Sequence, residues 1–398
     1  GNLIAGGNLT TADGQPANRI ARWNSTTTTV GNAWSSIPGI DLEGSRVIHA
    51  VTTLPNGDII AAGSIVSVNG GTPVNAIARY NGTAWSPMGS GFYYYNGNDG
   101  RGVFTLCKLP NGNIFAGGQF SSAGAAGTSC AAVWNGTTWN AVSKGFNDWV
   151  AGVSVASNGD VFACGAFSTA NNLRVDRIGR WNGVSFAPVG ADLPFGGFVE
   201  DAIDLPNGNV IIGGGFNLPG QDPFNDPIEA IARWDGSSWS SLNIQNAYVY
   251  ALDKMPNGDI VAAGLFDTAG SASAINIARQ SGSDWVALGD GLGAPFSGDN
   301  VSDIAVRANG HIIACGDFDG AGITTVNNIA EWDGTAWQPL GSGLDGNAYA
   351  MVLEPNGNIV VAGNFFNAGG TPANGVARWN GTTWSALGTG IEQGTPYS

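Results

Sequence analysis

The sequence predicts an all-β fold, a single eight-bladed β-propeller over residues 1–398. A glycine-anchored motif recurs eight times, and each copy has room for four short antiparallel strands. A repeat period of about 40–50 residues built from short strands is typical of propeller blades. A seven-bladed ring with one copy outside it is the alternative. The anchors are Gly1, Gly57, Gly112, Gly159, Gly208, Gly258, Gly310 and Gly357.

The last copy shows the four predicted strands most clearly. Its first strand is predicted over 350–353 and ends before Asn356-Gly357. Asn-Gly favours a two-residue turn in which both central residues have positive φ. The second strand is predicted over 359–365 and the third over 375–379, and a further Asn-Gly turn leads to the fourth strand around Trp384. Four antiparallel strands per copy make one propeller blade.

Tryptophan follows the same period. Nearly all of the 14 tryptophans occupy two positions of the repeat, on the predicted strands 3 and 4. Burying one such ring removes about 150–250 Å² from water, so we expect these rings to form the core between blades. They are Trp23, Trp134, Trp181, Trp234, Trp332 and Trp379 at the first position, and Trp34, Trp85, Trp139, Trp239, Trp285, Trp337 and Trp384 at the second.

Residues 377–384, Ala-Arg-Trp-Asn-Gly-Thr-Thr-Trp, resemble a tandem unit of the kelch-like β-propeller repeats of secreted bacterial proteins. Three copies also match the kelch double glycine, at Gly6-Gly7, Gly117-Gly118 and Gly213-Gly214, while other copies have Ala or Cys before the second glycine. The resemblance covers essentially the whole chain. It implies a propeller fold and an extracellular or cell-surface location. Because the family has no fixed catalytic set, it implies no active-site residues.

The composition favours a packed β protein and disfavours two classes of binding partner. The chain is 43% hydrophobic and 10% aromatic, which favours a packed β protein over a disordered one. Its net charge of −15 disfavours nucleic acid and anionic membranes, because phosphate binding relies on clustered Lys and Arg. No apolar run approaches the ~18 residues of a membrane span.

Few residues in the sequence suit a metal or cofactor. Only two histidines occur, and neither His nor Cys has zinc-ligand spacing, so no cofactor is expected from these motifs. Cys164 and Cys315 occupy a small strand-2 position and are expected to be buried thiols. A disulfide between Cys107 and Cys130 is not favoured, because a strand separates their predicted strands.

The connections vary most where strand 2 leads to strand 3 and where strand 4 leads to the next blade. These 2–3 and 4–1 connections emerge on one face, so that face is the predicted binding surface, with neutral variation in loop length as the alternative. Aromatic side chains there suit stacking on a sugar or anchoring a protein partner, unless they pack over a neighbouring blade. The candidate ligand-binding residues are Tyr93, Tyr94, Tyr95, Asp99, Phe224 and Phe296.

Three acidic residues stand out on predicted first strands. Asp201 and Asp303 occupy a position that holds Ala, Thr or Gly in other copies, and Glu200 precedes the first of them. We expect these carboxylates to line the axial channel. Solvated carboxylates, a Ca²⁺ site and a catalytic pair for glycoside hydrolysis are the three interpretations.

Two classes of function fit these observations. The first is a non-enzymatic, secreted or cell-surface scaffold that binds a glycan or protein partner through the face of the 2–3 and 4–1 connections. The second is a carbohydrate-active propeller enzyme, a glycoside hydrolase or lyase, that uses the channel carboxylates. The missing nucleophile and metal motifs favour the first class.

The first copy begins at its second strand, and residues 385–398 end about where a further first strand would begin. The first blade is therefore predicted to have three strands in this chain. We expect the fourth to come from a segment upstream of Gly1 or from a strand-donating partner.

Overall fold

A computed structural model of the chain describes residues 2–24, 34–41, 47–93, 102–125, 127–156, 158–175, 177–189, 197–218 and 228–392. All regular structure in these residues is β. The strands form the blades of an eight-bladed β-propeller, and each complete blade is an antiparallel sheet of four strands. The predicted fold class is therefore confirmed. Contacts divide the chain into two units, of which the first contains blades 1 to 4 and the second contains blades 5 to 8.

The first unit begins with the partial blade. Blade 1 has three described strands, as predicted, and blades 2 to 4 have four each. The strands are Asn2–Gly6, Ile20–Asn24 and Trp34–Ser36 in blade 1; Ile48–Thr53, Ile59–Gly63, Ile77–Tyr80 and Trp85–Pro87 in blade 2; Val103–Lys108, Ile114–Gly118, Ala131–Trp134 and Trp139–Ala141 in blade 3; and Val150–Val155, Val161–Gly165, Ile178–Trp181 and Phe186–Pro188 in blade 4.

The second unit consists of four complete blades. The strands are Gly197–Asp204, Val210–Phe216, Glu229–Trp234 and Trp239–Ser241 in blade 5; Tyr248–Lys254, Ile260–Leu265, Ile277–Ser281 and Asp284–Ala287 in blade 6; Asn300–Val306, Ile312–Asp317, Ile329–Trp332 and Trp337–Pro339 in blade 7; and Asn347–Leu353, Ile359–Asn364, Val376–Trp379 and Trp384–Ala386 in blade 8.

Short strands that the sequence did not predict lie in the connections between blade strands. In several 2–3 connections they form a two-stranded hairpin, as in blade 6, where Thr268–Ala269 pairs with Ala272–Ser273. The others are Thr11–Ala12, Gln15–Pro16, Ile40–Asp41, Ser67–Val68, Thr72–Pro73, Phe92–Tyr93, Ser122–Ala123, Thr169–Ala170, Leu173–Arg174, Gly320–Ala321, Thr324–Thr325, Asn367–Ala368, Thr371–Pro372 and Ile391–Glu392.

The turn between strands 1 and 2 differs from the two-residue turn that Asn-Gly predicts. In blade 2, the amide of Gly57 donates to the carbonyl of Leu54 at 2.9 Å, and the amide of Leu54 donates to the carbonyl of Asp58 at 2.8 Å. Only the glycine of the Asn-Gly pair has a positive φ, of 88°. The pyrrolidine ring of Pro55 fixes φ near −65°. The loop is therefore a type I turn followed by a left-handed glycine.

The turn between strands 3 and 4 is the tight one. In blade 2 the amide of Asn81 donates to the carbonyl of Ala84, and Gly82 has a φ of 95°. The Asn81 Oδ1 accepts the amides of Thr83 and Ala84, each at 3.0 Å. The Asn-Gly-Thr sequence is thus explained by turn geometry.

The first strand of each complete blade contains a β-bulge. In blade 8 this strand begins at Asn347, earlier than predicted, because Ala348 and Ala350 pair with consecutive residues of strand 2 and leave Tyr349 unpaired. The extra residue interrupts the two-residue alternation from which the strand was predicted. The bulge positions are His49, Phe104, Ala151, Glu200, Tyr250, Ser302 and Tyr349.

A glycine of strand 2 lies against the bulge. A Cβ atom at Gly316 would be 2.2 Å from the carbonyl oxygen of Asn300, and one at Gly118 would be 2.1 Å from that of Gly102. The close approach of two backbones explains the glycine that follows six residues after each anchor.

Tryptophan side chains form hydrogen bonds between successive blades. The Nε1 of Trp337 donates to the carbonyl of Leu288 in the preceding blade at 2.7 Å, and that of Trp139 donates to the carbonyl of Met88 at 2.9 Å. Both side chains are buried. Ten of the thirteen rings at the two repeat positions are buried, so their interpretation as core is confirmed, while Trp23, Trp234 and Trp239 are half-buried.

A recurring ion pair links strands 2 and 3 within a blade. The repeat arginine pairs with an acid, as in Arg79 with Asp58. Blade 7 reverses the charges: Glu331 takes the place of the arginine, and its Oε1 lies 2.8 Å from the Nδ1 of His311 and 3.4 Å from the Nε of Arg307. The four cysteines are free thiols.

Candidate functional site

The structure describes two of the six predicted ligand-binding residues, and Tyr94, Tyr95, Asp99 and Phe224 lie outside the described residues. Tyr93 belongs to the first unit, in the short strand Phe92–Tyr93, and its side chain is 47% exposed. Phe296 belongs to the second unit, in the connection between blades 6 and 7, and is 91% exposed. Both rings are accessible to a ligand.

The predicted channel carboxylates bind main-chain amides. The Oδ1 of Asp303 accepts the amide of the next residue, Ile304, at 2.8 Å. Its Oδ2 accepts the amide of Met351, on the first strand of the following blade, also at 2.8 Å. Asp201 has the same arrangement, with the amides of Ala202 at 2.8 Å and Leu252 at 2.9 Å.

A third carboxylate of this kind was missed by the sequence analysis. The Oδ2 of Asp253 accepts the amide of Val306 at 2.8 Å and joins the first strands of blades 6 and 7. Asp253 lies two residues beyond the repeat position of Asp201 and Asp303. A comparison of the copies at the position of Asp201 and Asp303 alone could not reveal Asp253. The first strands of blades 5 to 8 are thus connected, each to the next, by an aspartate.

Burial raises the pKa of Asp303 to about 6. The amides of Met351 and Ile304 oppose this shift, whereas the charges of Asp201 and Asp253 add to it. Burial likewise raises the pKa of Asp201. In the part of the chain that the structure describes, no three His, Cys, Asp or Glu side chains are grouped as a metal ion requires. Ca²⁺ binding by Glu200, Asp201 and Asp303 stays a prediction.

Exposed aromatic rings lie near the start of the first strands of blades 5 and 6, where Glu200 is also located. Phe198 lies on the same strand, and Tyr248 and Tyr250 lie on the first strand of blade 6. Tyr349 has the same repeat position in blade 8 as Tyr250 has in blade 6. Because first strands begin at the 4–1 connections, these rings lie on the face predicted to bind a partner. The bulge, which the sequence pattern did not reveal, positions two of them.

A cavity of about 380 Å³ lies beside Phe296, and we name it the Phe296 pocket. The connection into blade 6, the 2–3 connection of blade 6 and the connection out of it form its walls. The amide of Phe296 donates to Asp267 Oδ1 at 3.1 Å, and the amide of Ala294 donates to Asp299 Oδ2 at 2.9 Å. These bonds hold the connection that contains Phe296 against the blade. Polar lining residues include Gln245, Asn246, Asp267, Thr268, Ser297 and Asp299.

A second cavity on this face has a different lining. Its volume is about 540 Å³, and Asp319, Asn327, Asp345 and Asn367 are among the residues around it. Its described lining contains no aromatic side chain. The Phe296 pocket therefore combines hydrogen-bonding groups with an exposed ring, whereas this cavity offers hydrogen-bonding groups without one.

Comparisons with known proteins identify the kind of fold. Residues 54–83 and 354–381 match the family described as "Domain of unknown function (DUF5122) beta-propeller". No curated protein sequence matches the chain. No helix long and apolar enough to cross a membrane occurs among the described residues.

Several solved structures have a similar fold. One is the extracellular domain of a putative one-component system from B. thetaiotaomicron, with 12% identity and a TM-score of 0.48 over 86% of this chain and 39% of that one. The present chain thus spans about two fifths of that structure. Virginiamycin B lyase from Staphylococcus aureus has 12% identity and a TM-score of 0.44, covering 91% and 96%. YCF48 from Cyanidioschyzon merolae has 14% identity and a TM-score of 0.42, covering 85% and 96%.

Proposed function

We propose that the chain is a non-enzymatic, extracellular or cell-surface binding protein that takes an uncharged glycan segment in the Phe296 pocket. One observation carries the proposal: an almost fully exposed aromatic ring stands beside a cavity of about 380 Å³ with amide, hydroxyl and carboxylate groups in its walls. None of the described lining residues is Lys, Arg or His. This combination suits a ligand with both hydroxyl groups and C–H faces.

The chemistry of each wall supports sugar binding. An aromatic face attracts the C–H groups of a sugar ring through its negative quadrupole. Carboxylates accept hydrogen bonds from sugar hydroxyls, and the hydroxyl of Thr268 both donates and accepts. The Nε2 of Gln245 donates to Glu229 Oε1 at 2.7 Å. This bond fixes the orientation of the Gln245 side-chain amide, whose oxygen can accept a hydrogen bond from a ligand. Groups held in this way lose little conformational entropy when a ligand binds.

The size and polarity of the pocket favour a glycan over a protein partner. Ligand pockets commonly have volumes of about 300–1,000 Å³. A stable protein interface buries about 800 Å² on each partner around apolar anchors. The walls of the Phe296 pocket are about as polar as they are apolar, and its one large exposed apolar side chain is Phe296.

The engagement of the first-strand aspartates supports a binding role rather than catalysis. Each carboxylate oxygen of Asp201 and of Asp303 already accepts a main-chain amide. A general base or nucleophile needs an oxygen directed at its substrate. These two residues are better explained as links between blades.

The test is a screen of uncharged polysaccharides that measures both retention of the protein and release of soluble products. We expect retention without product release, and Phe296→Ala should weaken retention by about tenfold or more. Tyr93→Ala, which removes an exposed ring from the other unit, is the matched control and should leave retention unchanged.

Two results would contradict the proposal. Equal retention of Phe296→Ala and the unsubstituted protein would exclude the pocket. Product release that is abolished by Asp201→Asn would favour the carbohydrate-active enzyme instead.

A further inference from the structure

The bulge positions of blades 5 and 6 bring a carboxylate and an aromatic ring to neighbouring strands. Glu200 and Tyr250 occupy the same repeat position on adjacent first strands. The hydrogen bond from the amide of Leu252 to Asp201 Oδ2, at 2.9 Å, holds these two strands side by side just beyond the bulges. Burial is the largest cause that raises the pKa of the Tyr250 hydroxyl, followed by the electrostatic effects of Tyr248 and of Glu200. The effect of Glu200 agrees with its position on the neighbouring strand.

Tyr250 is the ring of the tyrosine pair that shares the repeat position of Glu200. The rings of Tyr248 and Tyr250 are nearly parallel, at 13°, with centroids 6.3 Å apart. A third planar group between them would need about 3.5 Å on each side, so it does not fit. Tyr248 also has Gly215 beside it, where a Cβ atom would lie 2.6 Å from the ring. Tyr248 is 44% exposed and Tyr250 is 37% exposed, so each ring keeps an outer surface, and that of Tyr250 belongs to the residue at the repeat position of Glu200 on the next first strand.

We propose that Glu200 and Tyr250 form a binding site for a guanidinium group, such as an arginine side chain of a peptide ligand. A guanidinium is planar and always charged, stacks on aromatic faces, and donates two parallel hydrogen bonds to a carboxylate. The surroundings favour a cation, because Asp201, Asp253 and Asp303 lie on the same and following first strands. This site is independent of the Phe296 pocket.

Blade 8 supplies a natural comparison for this site. Tyr349 has the same bulge position as Tyr250 and is 38% exposed. The bulge residue on the strand before it is Ser302, which carries no charge. Tyr349 therefore offers a similar ring without the carboxylate.

The experiment is an NMR titration of the full chain at low salt with N-acetyl-arginine amide and with N-acetyl-citrulline amide. Citrulline replaces the guanidinium by a neutral urea group of the same shape. We expect the arginine compound to bind about tenfold more tightly or better. Tyr250→Ala should abolish the binding, Glu200→Gln should lower it to the level of citrulline, and Tyr349→Ala should leave it unchanged.

Three outcomes would overturn the assignment. Equal affinity for the two compounds would exclude recognition of charge, and an unaffected Glu200→Gln variant would exclude the carboxylate. Binding of N-acetyl-lysine amide as tight as that of arginine would exclude a site specific for guanidinium. Unfolding curves of each variant separate loss of the site from loss of the fold. Phe296→Ala should retain arginine binding, which distinguishes failure of this proposal from failure of the glycan proposal.

Discussion

The first strands of blades 2 to 4 and of blades 5 to 8 have the same bulged backbone and carry different side chains. In the first unit, the rings of His49 and Phe104 meet edge to face at 5.4 Å, and those of Phe104 and Trp149 at 6.0 Å. In the second unit, Tyr250 and Tyr349 are exposed at the same repeat position, the former beside Glu200.

This difference separates support of the fold from binding. The backbone is set by the bulge and by the glycine against it, so the bulge side chain can change without changing the blade. The rings of His49, Phe104 and Trp149 cover part of one another's apolar surface and stabilise the unit that holds them. Rings that remain exposed beside a carboxylate add little to stability and are free to contact a ligand.

The largest expected effect is the loss of stability when the strand-2 glycine is replaced, and it tests whether the first strands of both units have the same backbone conformation. Gly118→Ala in the first and Gly316→Ala in the second should each cost about 3 kcal/mol or more, because the added Cβ would meet a carbonyl oxygen at 2.1 and 2.2 Å. Gly334→Ala is the control. It has open space and a φ of 101°, so it should cost only about 1–2 kcal/mol. Urea unfolding measures all three, and tolerance of either strand-2 substitution would break the comparison.

The next effect is a dependence of the free energy of unfolding on pH, which arises from Asp303 in the second unit. The pKa of Asp303 is about 6 in the folded chain against an ordinary value of 3.8. The folded state therefore holds this proton more tightly, and the stability that it contributes is present below pH 4 and is lost as the pH rises through 6. The loss amounts to about 3 kcal/mol at most. Asp201, whose pKa is also raised, acts in the same direction.

Urea unfolding between pH 4 and pH 7 measures this loss. Asp303→Asn should reduce the decline in stability over that range, because the variant side chain does not titrate. Ser302→Ala, on the same strand, should retain the full decline. An identical pH profile for Asp303→Asn and the unsubstituted protein would show that Asp303 does not carry the effect.

The smallest effect compares two rings at the same repeat position. Phe104→Ala should lower the free energy of unfolding by about 1–2 kcal/mol, because two edge-to-face contacts are lost with the buried part of the ring. Tyr250→Ala should lower it by about 0.5 kcal/mol or less, as expected of an exposed side chain. Thermal and urea unfolding provide both values. If the order is reversed, Tyr250 is a structural residue and the division between the units fails.

The fold could be predicted because the same pattern of strands and turns occurs in eight copies. Trp337 and the other rings of its position recur wherever one blade packs on the next, so their burial followed from the period alone. The turn after strand 1 was predicted wrongly, since an Asn-Gly pair also fits a type I turn followed by a left-handed glycine. Blade 7 forms this same turn with Ala308 in the place of Pro55, so proline is not required for it.

The candidate site was predictable only in part. Phe296 was found because it is an aromatic residue in a 4–1 connection, one of the two kinds of connection that vary most between copies. The environment of Asp303 depends on the amide of Met351, about one repeat away, which no local pattern displays. Glu200 and Tyr250 come together through a bulge and through the packing of adjacent strands, and both are tertiary properties.

The ion pair between strands 2 and 3 bears on how such a chain can diverge. Asp58 and Arg79 belong to the same copy, and so do Arg307, His311 and Glu331 of blade 7, where the charges are exchanged. A copy that is duplicated or recombined therefore brings its own counter-charge. The sign of the pair can then reverse in one copy without compensating substitutions in the adjacent copies, so each repeat is a separate unit of inheritance for this interaction.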